Sequence, residues 1–252
     1  MQEIRRKDCG ANMLELRNIC YEVDVENESK EILKNVSLTI DEHFVAITGP
    51  NGGGKSTLAK MIAGIIQPTS GQILLDGEDI TELSITERAK KGISFAFQQP
   101  VHFKGLTVKD LISIAAGKTM SVNDICSILS EVGLCARDYI DREINNSLSG
   151  GELKRIEIAM ILARGTKLSI FDEPEAGIDL WSFNSLIKVF EKMSDEIQGS
   201  ILIISHQEKI LNIADKIIVI ANGEIENVGS REEILPTLLY TSRACQSLTD
   251  KQ

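Results

Sequence analysis

No C-x-x-C pair occurs among the five cysteines of this 252-residue chain (Cys9, Cys20, Cys126, Cys135 and Cys245), and their number is odd. That spacing suits neither a disulfide framework nor a zinc site. Cys126 and Cys135 read instead as small apolar fillers of helix faces. Long apolar runs are also missing: residues 201–204 and 217–221 fall far short of the roughly 18 residues that cross a bilayer. The opening MQEIRRKDCGANM lacks the apolar stretch of a secretion signal, so the chain is expected in the cytoplasm with no membrane insertion of its own. Nor is there a dense Lys/Arg run. With 27 basic against 37 acidic side chains, the formal net charge is -10, which argues against nucleic acid or anionic lipid as the main partner. No internal repeat and no low-complexity linker divides the chain.

What remains is ordinary globular composition, 42% hydrophobic and 25% charged, in a chain long enough to bury a substantial core. Residues 14–23 and 32–40 read as strands around a polar turn at 26–29. Residues 44–48 form a short apolar strand that runs into a glycine-rich loop, followed by a helix over 55–63. Residues 71–75 are a strand closed by Asp76-Gly77, a turn signal. From Thr107 to about Leu162 the pattern is helical. Ser121 and Asp124 predict a capping box there, Ile125, Ile128, Leu129 and Val132 an apolar stripe, and Gly133 a stop. Strands return at 167–171 and 200–205 as continuous apolar runs, the mark of buried parallel strands. Residues 217–220 and 224–228 flank the hairpin signal Asn222-Gly223. This is an α/β core interrupted by a helical insertion, with loose tails at 1–12 and 240–252.

The loop reads GPNGGGKST: Gly49, Pro50, Asn51, Gly52, Gly53, Gly54, Lys55, Ser56 and Thr57. Placed between strand and helix, it fits G-x-x-x-x-G-K-S/T. Glycines let backbone N–H groups turn inward around β- and γ-phosphates, and the helix N-terminus points at the same oxygens. Lys55 neutralises phosphate charge and Ser56 offers a hydroxyl to Mg²⁺. The strand at 167–171 ends in Asp172-Glu173. Asp172 suits a Mg²⁺ shell, and Glu173 suits a group that orients and polarises the attacking water. ATP and Mg²⁺ are thus the expected ligands. Ser149-Gly150-Gly151-Glu152 reads as a capping box for the helix that follows. A cap needs no glycine pair, whereas a phosphate approaching bare N–H groups does.

Leu148 to Glu152, LSGGE, resembles the signature motif of the ABC superfamily, and with the phosphate loop it identifies the chain as a member. The resemblance covers about residues 13–235. It implies a P-loop NTPase (RecA-like) core, residues 13–96 and 166–239, with an N-terminal antiparallel β-subdomain and an inserted α-helical subdomain at 97–165. It also implies roles for three more residues. Gln98, in FAFQQP, matches the glutamine that contacts Mg²⁺ and water, with Gln99 as the second candidate. Asp179, in Ala176-Gly177-Ile178-Asp179, matches the D-loop that faces a second protomer. His206, in ILIISHQEK, matches the switch histidine at the γ-phosphate. One phosphate loop and one signature per chain imply an ATP-dependent head-to-tail homodimer. Val23 stands where the family often stacks adenine on an aromatic residue, with Tyr21 two positions earlier.

Within the superfamily, LLDGEDITELSITERAKKGISFAFQQP (residues 74–100), SGGELKRIEI (149–158) and the Gly-x-Asp of the D-loop are similar to the SufC-type ATPase of the SUF iron–sulfur assembly system. That resemblance implies a soluble scaffold partner of the SufB/SufD type. Pro174 after Glu173 and Lys104 before Gly105 depart from it. The alternative is the ATP-binding subunit of a transporter, with a membrane permease as partner. In both, the region from Gln98 to Leu106 is the implied coupling surface. Cassettes acting on DNA or ribosomes are disfavoured, because they carry coiled-coil insertions or paired cassettes and more positive charge.

Overall fold

The computed structural model describes residues 13–25, 28–99, 103, 105–145, 147–196 and 199–249. His102, Lys104 and the whole of the expected first tail, residues 1–12, lie outside them. Strand β1 (Leu14–Val25) pairs antiparallel with β2 (Glu28–Ile40), and both exceed their apolar patterns. The extra pairs, such as Val23 with Lys30 and Asp24 with Ser29, are largely polar. Main-chain pairing continues there without a buried face to mark it. Strand β3 (Phe44–Thr48) leads through the glycine loop into α1 (Lys55–Ile62). Strands β4 (Ser70–Leu75) and β5 (Glu78–Asp79) complete a four-stranded antiparallel sheet in the order β2-β1-β4-β5.

Helix α2 (Ile85–Lys90) and strand β6 (Ile93–Ala96) come next. Neither is long enough to show a period, although Ser84 and Glu87 form a full capping box that marks the start of α2. The insertion holds α3 (Val108–Ala116), α4 (Val122–Glu131), α5 (Ala136–Tyr139) and α6 (Gly150–Arg164). At α4 the capping box is only half formed. Ser121 accepts from the Asp124 N–H at 3.2 Å, but the Asp124 carboxylate takes the Ser121 hydroxyl at 2.7 Å instead of its backbone. The chain then runs through β7 (Leu168–Asp172), α7 (Leu180–Glu196), β8 (Ser200–Ile204), α8 (Glu208–Leu211), β9 (Lys216–Ala221), β10 (Glu224–Ser230) and α9 (Arg231–Thr249). The sequence predicts a loose tail from residue 240; the helix instead continues to Thr249.

The six-stranded sheet has the order β10-β9-β3-β8-β7-β6, parallel except for β10. Its strands alternate between two buried faces, which explains their unbroken apolar runs. Val45, Ile47, Leu202, Ile204, Ile218 and Ile220 pack against α1 and the antiparallel sheet. Phe44, Ala46, Ile201, Ile203, Ile217 and Val219 pack against α6, α7 and the helical insertion. One polar side chain locks the first layer. Arg88, fully buried on α2, donates to the Met61 carbonyl oxygen at 2.6 Å, that of Ile62 at 3.0 Å and that of Thr81 at 2.6 Å. It therefore ties the carbonyls at the end of α1 to that of Thr81. Parallel β3, β8, β7 and β6 all end on one edge of the sheet, where open α/β folds place their ligands.

Candidate active site

The glycine loop leaves that edge at Thr48. Its shape is fixed by its neighbours: Gly53 N–H donates to the Pro50 carbonyl at 3.1 Å, and Gly223 N–H donates to that of Gly53 at 3.1 Å. Position 49 admits only glycine. Its φ is +129°, and a Cβ there would stand 2.1 Å from the Ile220 carbonyl oxygen. Helix α1 begins at Gly54 with no side-chain cap, so its first N–H groups and positive end are open to an anion. Lys55, nearly buried, donates to the carbonyl oxygens of Gly49 at 2.8 Å and Pro50 at 2.9 Å. Burial lowers its pKa, opposed by the charges of Glu173 and Asp172. Ser56 Oγ donates to Asp172 Oδ1 at 2.8 Å. Burial raises the Asp172 carboxyl above its usual range, with the Ser56 bond opposing. A hydroxyl and a buried carboxylate make an all-oxygen pair, the donor chemistry of a hard divalent cation.

Glu173 follows in the left-handed region, with φ +45°. A non-glycine residue there is strained and needs its surroundings to hold it. Its N–H donates to the Ile204 carbonyl at 3.0 Å, and its own carbonyl accepts the Ala176 N–H at 3.0 Å. Its side chain meets both remaining members of the predicted set. Gln98 Nε2 donates to Oε2 at 2.6 Å, and His206 Nε2 lies 3.4 Å from Oε1. Lys55, Ser56, Gln98, Asp172, Glu173 and His206 thus form one group at the ends of β3, β6, β7 and β8.

Two residues that sequence reasoning missed hold Gln98 in place. The Phe97 N–H donates to Glu157 Oε1 at 3.2 Å, and Lys154 Nζ donates to the Phe97 carbonyl while pairing with Glu157 Oε2 at 3.0 Å. Lys154 is 2% exposed. Burial pushes the Glu157 carboxyl up, against the pull of Lys154. A signal was there: Gly151, Lys154, Ile158 and Ile161 share a buried face of α6, and a lysine on an apolar stripe asks for a partner.

The signature and D-loop form a second group. Ser149 caps α6 through the Glu152 N–H at 3.3 Å, and Glu152 Oε2 accepts the Ser149 N–H at 2.6 Å. Glu152 Oε1 also takes the Tyr139 hydroxyl and lies 3.7 Å from Arg142. Burial alone would raise this carboxyl, yet the bonds from Tyr139 and Ser149 hold it below its usual range. Both glycines are packed against the D-loop. A Cβ on Gly150 would come within 3.2 Å of the Gly177 carbonyl oxygen, and one on Gly151 within 2.6 Å of Ser182 Cβ. Asp179 Oδ1 accepts the N–H groups of Trp181 and Ser182, both at 3.0 Å, which caps α7. Beside it Leu180 and Trp181 are 69% and 83% exposed. At the expected adenine position Val23 is half-buried, and Tyr21 packs against the core instead.

The family model described as ABC transporter matches residues 33–176. The chain belongs to the ABC transporter ATP-binding family. An uncharacterized ABC transporter ATP-binding protein of Methanocaldococcus jannaschii is 40% identical over 222 residues, covering 84% of this chain and 88% of that protein. A spermidine/putrescine import ATP-binding protein of Mesoplasma florum is 34% identical over 230 residues, covering 88% of this chain but 63% of that protein. Among solved structures, a dimeric ATP-binding cassette in a post-hydrolysis state with ADP and phosphate superposes with a TM-score of 0.77 at 27% identity, covering 87% of this chain and 99% of that one. The chain is therefore an ATPase with the ABC nucleotide-binding fold. Among the described residues, no helix is long and apolar enough to cross a membrane.

Proposed function

We propose that this cassette hydrolyses MgATP between two copies of itself, paired head to tail, and passes the resulting motion to a membrane permease. The observation that carries the catalytic part is Glu173, set at the mouth of the phosphate loop and held between Gln98 and His206. In this reading the loop N–H groups from Gly49 to Thr57, the α1 N-terminus and Lys55 bind the β- and γ-phosphates. Ser56 and Asp172, with Gln98 nearby, hold Mg²⁺, which when bound neutralises phosphate charge. Glu173 accepts a proton from the attacking water, Gln98 orients the Glu173 carboxylate, and His206 contacts the γ-phosphate.

Ser149, Gly150 and Gly151 complete the site of the second copy, and Asp179 faces that copy. The γ-phosphate meets the partner's capped helix only in the closed pair, so ATP favours closure and hydrolysis releases it.

Two observations support a permease at the cytoplasmic face. The relative from Mesoplasma florum is named an import ATP-binding protein. Exposed Ile85, Phe97 and Phe103 also rim a cavity of about 280 Å³ that is largely apolar. Its wall includes Phe97, directly before Gln98, so an element docked there touches the catalytic arm.

A second reading, a soluble SUF-type scaffold as partner, has its own support. Glu152 at the signature is bound by Tyr139 and Arg142, an arrangement that uses a carboxylate where transporter cassettes more often carry glutamine. Affinity purification of the tagged protein from its own cells, with and without detergent, decides between them. A multispanning partner recovered only with detergent upholds the permease. A partner without membrane spans in the cytosolic fraction upholds the scaffold.

A further inference from the structure

Two residues past Glu173 stands a carboxyl to which the mechanism above assigns no work. Glu175 Oε1 accepts the Ser205 hydroxyl at 2.5 Å. Ser205 is fully buried, its Oγ accepts the Gln207 N–H at 3.0 Å, and its own N–H donates to the Ile47 carbonyl at 3.1 Å. The backbone N–H of His206 also faces the Glu175 carboxyl. One side chain thus grips the hydroxyl of residue 205, directly before His206, on the segment that carries the His206 imidazole.

The other oxygen, Oε2, is buried with no partner. Burial raises this carboxyl above its usual range, Ser205 opposes, and Glu173 adds repulsion. An unsatisfied buried oxygen costs stability. A strand-to-loop junction that needed only packing would be better served by an apolar side chain. The backbone bond from Glu173 to Ile204 lies two residues before Glu175 and one before Ser205. Segments 173–175 and 204–206 are therefore joined by adjacent rungs, one of main chain and one through Glu175.

We propose that Glu175 is a positioning residue for hydrolysis: through Ser205 it sets where His206 stands relative to Glu173. The same segment runs on through Gly177 to Asp179, so the brace also ties the His206 loop to the D-loop. This rests on the roles given above to Glu173 and His206.

The test is steady-state ATPase kinetics on the full chain for E175A, S205A, the double variant and E175Q, with E173Q alongside. Each single alanine variant is expected to lower kcat about tenfold, since small misplacements of catalytic groups are costly, with KM for ATP within about twofold of the parent. The double variant should lose no more than either single, because both remove one brace. E175Q keeps an oxygen acceptor for Ser205 and should retain kcat within about threefold. Wild-type kcat in S205A, losses that multiply in the double variant, or a change confined to KM would overturn the proposal. If E175A does not fold, S205A and E175Q decide it alone. Rapid hydrolysis by E173Q would sink the underlying site assignment. An inert E173Q beside a fully active S205A sinks only the brace.

Discussion

The phosphate loop and the junction at Glu173 lie side by side and are built on opposite plans. The loop spans residues 49–57, and in the proposed mechanism its groups toward phosphate are mostly main-chain N–H, with the one lysine Lys55. The junction gathers Gln98, Glu173, Glu175, Ser205 and His206, side chains from the ends of three strands. Adjacency in space comes from the order β8-β7-β6 and from nothing local. A site made of backbone is written as a run of glycines. A site made of side chains is written only in the topology that brings strand ends together.

The largest expected effects separate these plans. Glu173→Gln keeps the shape and removes the proposed base, so turnover should fall by about 10²- to 10⁴-fold, the usual contribution of a general base. ATP binding should survive, and size-exclusion chromatography with MgATP should show the pair accumulating. Lys55→Ala removes charge from the phosphates, and ATP affinity should fall by about tenfold to a hundredfold, the worth of a charge-assisted hydrogen bond. Calorimetric titration of both variants checks the division. A Glu173→Gln protein that cannot bind ATP would break it.

A smaller effect is expected where the signature meets the D-loop. Gly151→Ala puts a methyl 2.6 Å from Ser182 Cβ. The helix end must shift, and turnover should fall about tenfold or more as the partner's site is misaligned. Ser182→Gly removes the obstructing carbon and should restore most of the loss in the double variant. If Gly151 served phosphate approach alone, Ser182→Gly would rescue nothing. Recovery of turnover in the double variant therefore distinguishes packing from phosphate contact at that glycine.

The comparison also explains what could be read from the sequence. Strand β3, the loop, α1 and the buried strands β7 and β8 were legible because each is a contiguous pattern with a chemical reason. Family motifs mark Lys55, Ser56, Gln98, Asp172, Glu173 and His206 as candidates, and the structure brings these six side chains together. Helix α2 and strand β6 were too short to show a period, and α9 runs past an end that composition did not reveal. Lys154, Glu157, Glu175 and Ser205 escaped because their meaning depends on partners up to 60 residues away. A lone buried lysine in α6 has no interpretation until Phe97 is beside it.

Lys154 leads to the smallest prediction, which sets two ion pairs against each other. Lys154 pairs with Glu157 at 3.0 Å, with side chains 2% and 17% exposed; Lys167 pairs with Asp76 at 2.5 Å, with side chains 59% and 47% exposed. Ranking by distance makes the second the stronger. Ranking by environment reverses it, because water screens the exposed pair while removing Lys154 leaves a buried carboxylate and the Phe97 carbonyl without their donor. Lys154→Met should therefore cost about 2 kcal/mol and loosen Gln98, lowering turnover as well. Asp76→Asn keeps a residue that tolerates the turn's positive φ of 51° and removes only the charge. Its cost should stay within about 0.5 kcal/mol, a Tm shift under about 2 °C in a protein of this size, with turnover untouched. A Tm loss for Asp76→Asn equal to that for Lys154→Met would mean that distance, not burial, sets the worth of a charge pair here.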